Sequence, residues 1–182
     1  MTTDNRPLIT VTTDFGTADG FVGAMKGVML SIAPQAQIVD ITHGIPAQDL
    51  IRTQLTLMRF APYFPAGTIH LVVVDPGVGS KRSAMAAQLG DQLFVGPDNG
   101  IFTPFFERAG RRIVQLRNPL FQRTAVSATF HGRDIFAPAA AYLASGIALE
   151  ALGDAIPQPQ ILEIPLPSKQ DDVWRGEILS VD

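Results

Sequence analysis

The sequence predicts an α/β fold, a Rossmann-like layered sheet flanked by helices. Three observations carry that expectation. Short β-branched runs alternate with segments whose apolar residues recur at helical spacing, the pattern of a parallel sheet sandwiched by helices. One run, residues 69–74, is apolar except for His70, as expected of a strand covered on both faces. Each of the first four runs also ends in polar residues at its carboxyl end.

The first two strands are read at residues 8–13 and 37–42. Between them, at 20–32, Phe21, Val22, Met25, Val28, Met29 and Ile32 form the apolar face of a helix that Pro34 terminates. A second helix is expected over 48–60, with Leu50, Ile51, Leu55 and Met58 on one face and Asp49 in its first turn. Further strands are expected at 92–95 and 113–116. A third helix is expected over 133–145, with Gly146 where a C-terminal glycine belongs. These elements define an α/β domain over 1–155. Pro157, Pro159, Pro165 and Pro167 then crowd into a short stretch, so 156–172 reads as a semi-rigid linker. Residues 173–182 are expected to open a second, β-rich domain, with a strand starting at Gly176.

Composition narrows the function. Charged residues are 17% of the 182, against about 25% in typical domains, so much of the surface is uncharged. A net charge of −3 argues against a nucleic-acid partner, which requires a basic stripe to displace counterions. The absence of cysteine removes thiolate metal sites and cysteine nucleophiles, and suits a cytoplasmic protein. No apolar run approaches the ~18 residues of a membrane span.

The strand ends deliver Thr12-Thr-Asp14, Thr42-His43, Asp75-Pro76 and Gly96-Pro-Asp-Asn99. In an open α/β sheet the ligand sits beyond the carboxyl ends of the strands, so these groups describe one pocket. Singly, Asp14 and Asp98 are equally well explained as turn or cap residues; together the four ends favour a site. Gly16, Gly20 and Gly23 match neither phosphate-loop pattern, and Asp14 and Asp19 beside them repel phosphate. A carboxylate at the first strand end instead accepts a ribose diol or balances a cation, which favours a neutral or cationic nucleoside.

Two further groupings stand out. In Asp75-Pro-Gly-Val-Gly-Ser-Lys-Arg82 the turn residues allow Arg82 to fold back onto Asp75 as a directional ion pair; the bland reading is a loop salt bridge. In Thr129-Phe-His-Gly-Arg-Asp134, His131 precedes a helix, while Arg133 and Asp134 read as capping and packing groups. His70 reads as a core residue, and His43 as structural or ligand-facing, the structural role favoured. The spacing of the acidic and imidazole groups matches no dedicated metal site.

These stretches, with Val39-Asp-Ile-Thr-His-Gly-Ile-Pro-Ala-Gln-Asp49 and Thr129-Phe-His-Gly-Arg-Asp-Ile-Phe-Ala-Pro138, closely resemble the S-adenosylmethionine hydroxide adenosyltransferases, relatives of the fluorinase and chlorinase. The resemblance implies attack of water or hydroxide at the 5′ carbon of S-adenosylmethionine, giving adenosine and methionine without metal or cofactor. It assigns Asp75, Arg82 and His131 to the water, Asp14 to the ribose diol, and Asp19 and Asp182 to the surroundings of the methionine amino group. It places Gln48, Asn99 and Phe130 in the substrate pocket. It also implies a homotrimer with sites between subunits and a following β-rich, barrel-like domain that supplies the adenine pocket. With only the first strand of that domain in view, the chain is expected to be weak or inactive alone. A halogenase, or a non-catalytic adenosine- or S-adenosylmethionine-binding module, are the rival readings.

Overall fold

The computed structural model describes residues 6–181. Its centre is a six-stranded sheet of β1 (Leu8–Thr13), β2 (Gln37–Thr42), β3 (Ile69–Val73), β4 (Ala84–Leu89), β5 (Gln92–Pro97) and β6 (Arg112–Gln115), in the order β2-β1-β3-β5-β4-β6. The neighbours β2, β1, β3 and β5 run parallel, whereas β4 is antiparallel to both β5 and β6. The sheet is therefore mixed. The strand missing from the sequence reading is β4, whose Ala-Met-Ala-Ala-Gln-Leu composition carries weak strand propensity.

Helices α1 (Phe21–Ile32) and α3 (Ala137–Ala144) share one face of the sheet, and α2 (Leu50–Phe60) lies on the other. Strand alternation produces this division. Leu71, Val73, Ala86 and Val95 point into the first core with Met25 and Met29, while Val72, Met85, Ala87 and Phe94 point into the second with Leu57 and Phe102. His70 belongs to the second face, where its Nδ1 meets Thr10 Oγ1 at 2.8 Å and Phe60, Phe64 and Phe94 surround it. It is the core residue expected.

Helix α2 begins later than expected because Gln48 has φ 64°, outside helical space; Asp49 caps the helix by accepting the Arg52 amide at 2.8 Å. A π-type turn at Gly132–Phe136 leads into α3, and Gly146 with φ 88° follows its end.

The proline-rich segment is tied to the body rather than spanning free space. The amides of Ile156, Gln160 and Leu162 donate to Ile113 O, Asp98 Oδ1 and Thr103 Oγ1, and Gln54 Nε2 donates to Leu162 O at 2.7 Å. The strand expected from Gly176 is replaced by an earlier antiparallel hairpin, β7 (Ser168–Gln170) with β8 (Val173–Arg175). Its turn uses Asp171 at φ 53°, a conformation Asp tolerates better than most residues.

Candidate active site

The chain departs from β1 toward β2 on one side, and β3 lies on the other, so the carboxyl ends of β1 and β3 mark the point where connections diverge. A cavity of about 270 Å³ opens there. Asp14 and Phe15 reach it from the end of β1, Asp75 from the end of β3, Gln48 from the loop before α2, and Phe130 and His131 from the turn before α3. Its volume lies just under the ~300–1,000 Å³ of complete small-molecule sites, which suits one end of a larger ligand.

The back of the cavity is an interlocked ion pair. Arg82 Nε stands 2.8 and 3.0 Å from the two oxygens of Asp75, and Arg82 Nη2 bonds both Asp75 Oδ2 and, at 2.8 Å, His131 Nδ1. The guanidinium also lies 5.2 Å from the Phe136 ring centre. The loop geometry expected for residues 75–82 is present: Val78 N donates to Asp75 O, Ser80 N to Gly77 O, and Arg82 N to Ser80 Oγ. Gly79 has φ 76°, and a Cβ there would collide with the Ala128 carbonyl. Only glycine lets this loop lie against the 128–131 segment, which brings Arg82 to His131.

Side-chain exposure is 5% for Asp75 and 10% for Arg82, so water screens the pair poorly. Burial lowers the His131 pKa below its ordinary value and the Arg82 charge adds to that, against the opposing pull of Asp75 and Asp134. Arginine can only donate, so the Arg82 contact makes Nδ1 an acceptor. The neutral ring then carries its proton on Nε2.

Asp14 is held by its surroundings as well. The Gln48 amide donates to Asp14 Oδ2 at 2.9 Å, leaving the other oxygen uncommitted to that bond. The left-handed backbone of Gln48 aims this N–H, so Gln48 acts here through its main chain. Rings of Phe15, Phe21 and Phe130 pack edge to face beside the cavity, at centroid separations of 5.1 to 6.2 Å.

Five of the residues singled out from the sequence thus line one cavity: Asp14, Gln48, Asp75, Phe130 and His131, with Arg82 behind them. Asn99 does not line it. Its amide donates to Val74 O and its carbonyl accepts from Ile101 N, and it borders a neighbouring cavity with Ser83, Asp98 and Gln160 on the far side of Arg82. Asp19 is exposed on the loop before α1 and is not among the lining residues. Asp182 lies outside the described residues. The sequence reading missed Phe15 and Val78, both lining residues; Phe15 directly follows the strand-end carboxylate, a signal that was available.

Fold and site together define a layered α/β protein with a carboxylate-bearing cleft at its topological switch point. Residues 9–153 match the model of the SAM hydroxide adenosyltransferase N-terminal domain, and the chain belongs to that family. It is 44% identical over 180 residues to the (R)-S-adenosyl-L-methionine hydrolase of Salinispora tropica, covering 97% of this chain and 69% of that protein. It is 42% identical over 177 residues to the enzyme of the same name from Thermus thermophilus, covering 93% and 68%. A fluorinase from Actinoplanes is more distant, at 26% identity over 209 residues, covering 100% of this chain and 70% of that protein. The crystal structure of an uncharacterized conserved protein from Thermotoga maritima superimposes with a TM-score of 0.88 at 39% identity, covering 96% of this chain and 67% of that one. Among the described residues, no helix is long and apolar enough to cross a membrane.

Proposed function

We propose that this chain carries the water-activating residues of an S-adenosyl-L-methionine hydrolase, an enzyme that converts S-adenosylmethionine and water to adenosine and methionine. The observation that supports this best is the contact set Asp75–Arg82–His131 at the back of the cleft. Relatives above 40% identity bear the hydrolase name, whereas the fluorinase is much less similar.

The chemistry follows from the donor pattern. Water attacks the 5′ carbon, the new C–O bond forms as the C–S bond breaks, and the bonding pair neutralises the sulfonium. The departing thioether requires no proton. Asp14 receives the ribose diol, which places the 5′ carbon toward Asp75. His131, with Nδ1 engaged by Arg82, orients the water oxygen through its Nε2–H. The remaining lone pairs of Asp75 take the water's proton and release it to solvent. Holding water in line contributes ~7–11 kcal/mol to the barrier reduction, while proton removal adds about 10²–10⁴-fold, so positioning dominates. Arg82 is paired with Asp75 and would compete with a cation for that carboxylate.

The family resemblance alone supports the remaining assignments: Asp19 and Asp182 near the methionine amino group, Asn99 at the pocket, a following domain that holds adenine, and a homotrimer that completes each site. Product analysis by mass spectrometry after incubation with S-adenosylmethionine in heavy-oxygen water tests the reading. Adenosine carrying the label, with unlabelled methionine, is the expected result. Halogenated adenosine at high chloride would overturn it.

A further inference from the structure

Behind the Asp14 turn lies a second polar network that the hydrolysis does not use. Lys26 on α1 reaches Asp40 Oδ2 on β2 at 2.5 Å, and Asp40 Oδ1 stands 3.1 Å from His43 Nε2. The latter contact is close rather than well aligned. On its other side, His43 Nδ1 meets Thr13 Oγ1 at 2.9 Å. Burial raises the Asp40 pKa, but the hydrogen bond and charge of Lys26, with the nearby His43 imidazole, outweigh it and hold the carboxyl below its ordinary value.

A carboxylate facing Nε2 favours the tautomer with its proton there, which makes Nδ1 the acceptor. Thr13 then donates its hydroxyl proton to His43 and accepts the Phe15 amide at 3.3 Å. His43 also accepts the Gly16 amide through its carbonyl at 2.8 Å. Asp14 thus sits in a turn gripped on both flanks by one histidine, and its carboxylate is steadied by the Gln48 amide from the same loop. An Asp–His–hydroxyl series resembles a nucleophile relay. Thr13, however, is fully buried, with both proton and lone pair engaged, so it cannot attack a substrate.

We infer that His43, backed by Asp40 and Lys26, is a positioning residue that presents Asp14 to the ribose diol and so sets the preference for a ribonucleoside. This rests on the assignment of the diol to Asp14 under Proposed function. Loss of the clamp should therefore be felt by the 2′ and 3′ hydroxyls and not by the rest of the ligand.

Calorimetric titration with adenosine and with 2′,3′-dideoxyadenosine separates the possibilities. Asp14→Ala should abolish the preference for adenosine. His43→Leu should weaken adenosine about tenfold, the scale of one hydrogen bond to a charged group, with the dideoxy analogue within about twofold. Asp40→Asn, at a half-exposed site that tolerates change, should act in the same direction more weakly and decides the matter if His43→Leu does not fold. His43→Asn, which keeps an acceptor for Thr13, should recover part of the loss. If Asp14→Ala removes the preference while the His43 and Asp40 variants leave it intact, or weaken both nucleosides equally, the positioning role is wrong. If the unsubstituted chain shows no preference, or Asp14→Ala retains it, the ribose assignment fails first and this inference falls with it.

Discussion

Two carboxylates of this molecule are gripped by arginine within one short stretch of surface, and they differ in what they leave open. Asp134 has no exposed side-chain area; it receives Arg133 Nε at 2.7 Å, Arg133 Nη2 at 2.9 Å and the Ser127 amide at 2.9 Å, with Arg123 Nε at 3.4 Å. Its own carbonyl accepts the Arg123 amide. Every contact is internal, and the effect is to pin the 123–130 segment against the start of α3. Asp75 is almost as buried, yet its pair borders a cavity, and its arginine is shared with an imidazole that borders the same cavity. The two carboxylates are alike in type and burial, although Arg133 and Arg123 are more exposed than Arg82. What separates structure from chemistry is the lone pair or proton left facing space that a substrate can enter.

The largest expected effect tests that distinction directly. Lysine keeps the charge of Arg82 but lacks the planar fork in which Nε holds both oxygens of Asp75 while Nη2 bonds Asp75 and His131. Arg82→Lys should lower turnover of S-adenosylmethionine about 10²–10³-fold, the scale of one lost preorganised donor, while adenosine affinity, read by calorimetry, changes little. An unchanged turnover would place Asp75–Arg82 with Asp134, as another structural pair.

How far the sequence foretold this difference depends on the kind of interaction. Strands β1, β2, β3, β5 and β6 were legible as short apolar runs bounded by turn residues, and β1 and β3 most clearly, being β-branched and buried. The antiparallel β4 was not, since Ala84–Leu89 becomes a strand only through pairing with β5 and β6, and pairing between distant segments leaves no local mark. The contact of Arg82 with Asp75 could be read from a seven-residue loop rich in turn formers. Its contact with His131, 49 residues away, needed the close approach at Gly79. The strand-end pattern singled out both Asp14 and Asn99, but only Asp14 lines the cleft; Asn99 borders the neighbouring cavity and closes a turn, as polar residues at strand ends also do. Gln48 was located, but its main-chain role follows from a left-handed backbone that glutamine does not advertise.

A closed polar group should announce itself in stability rather than rate, and His70 gives the next largest effect. Burial lowers its pKa to about 4 from the ordinary 6.5, with Arg108 adding to the shift and a hydrogen bond involving Gln92 opposing it. The unfolded chain binds the proton first, so stability from this group is present above pH 6.5 and is lost as pH falls toward 4. The loss amounts to about 3 kcal/mol. Urea unfolding across that range should show it. His70→Leu, which deprives Thr10 of its partner at every pH, should be less stable at neutrality but flatter in its pH dependence.

Asp134→Asn should cost about 1–3 kcal/mol in urea unfolding, since it weakens the charge-assisted bonds from Arg133 and Ser127 without emptying the site. Turnover at neutral pH should stay near that of the unsubstituted protein. A large fall in rate with unchanged stability would reverse the two roles assigned here.

The same substitution also offers the smallest and sharpest test, because the two clusters are linked through His131. Burial and Arg82 depress that imidazole's pKa, and Asp75 and Asp134 both raise it. Protonation of His131 removes the Nδ1 lone pair that Arg82 uses, so activity should fall on the acid side with a midpoint below 6.5. Neutralising Asp134 removes one of the two charges that favour the imidazolium, and the acid limb should move to still lower pH. Only the position of that limb should shift, because Asp134 touches neither the water nor the cavity. A limb that stays fixed would mean that His131 does not set it.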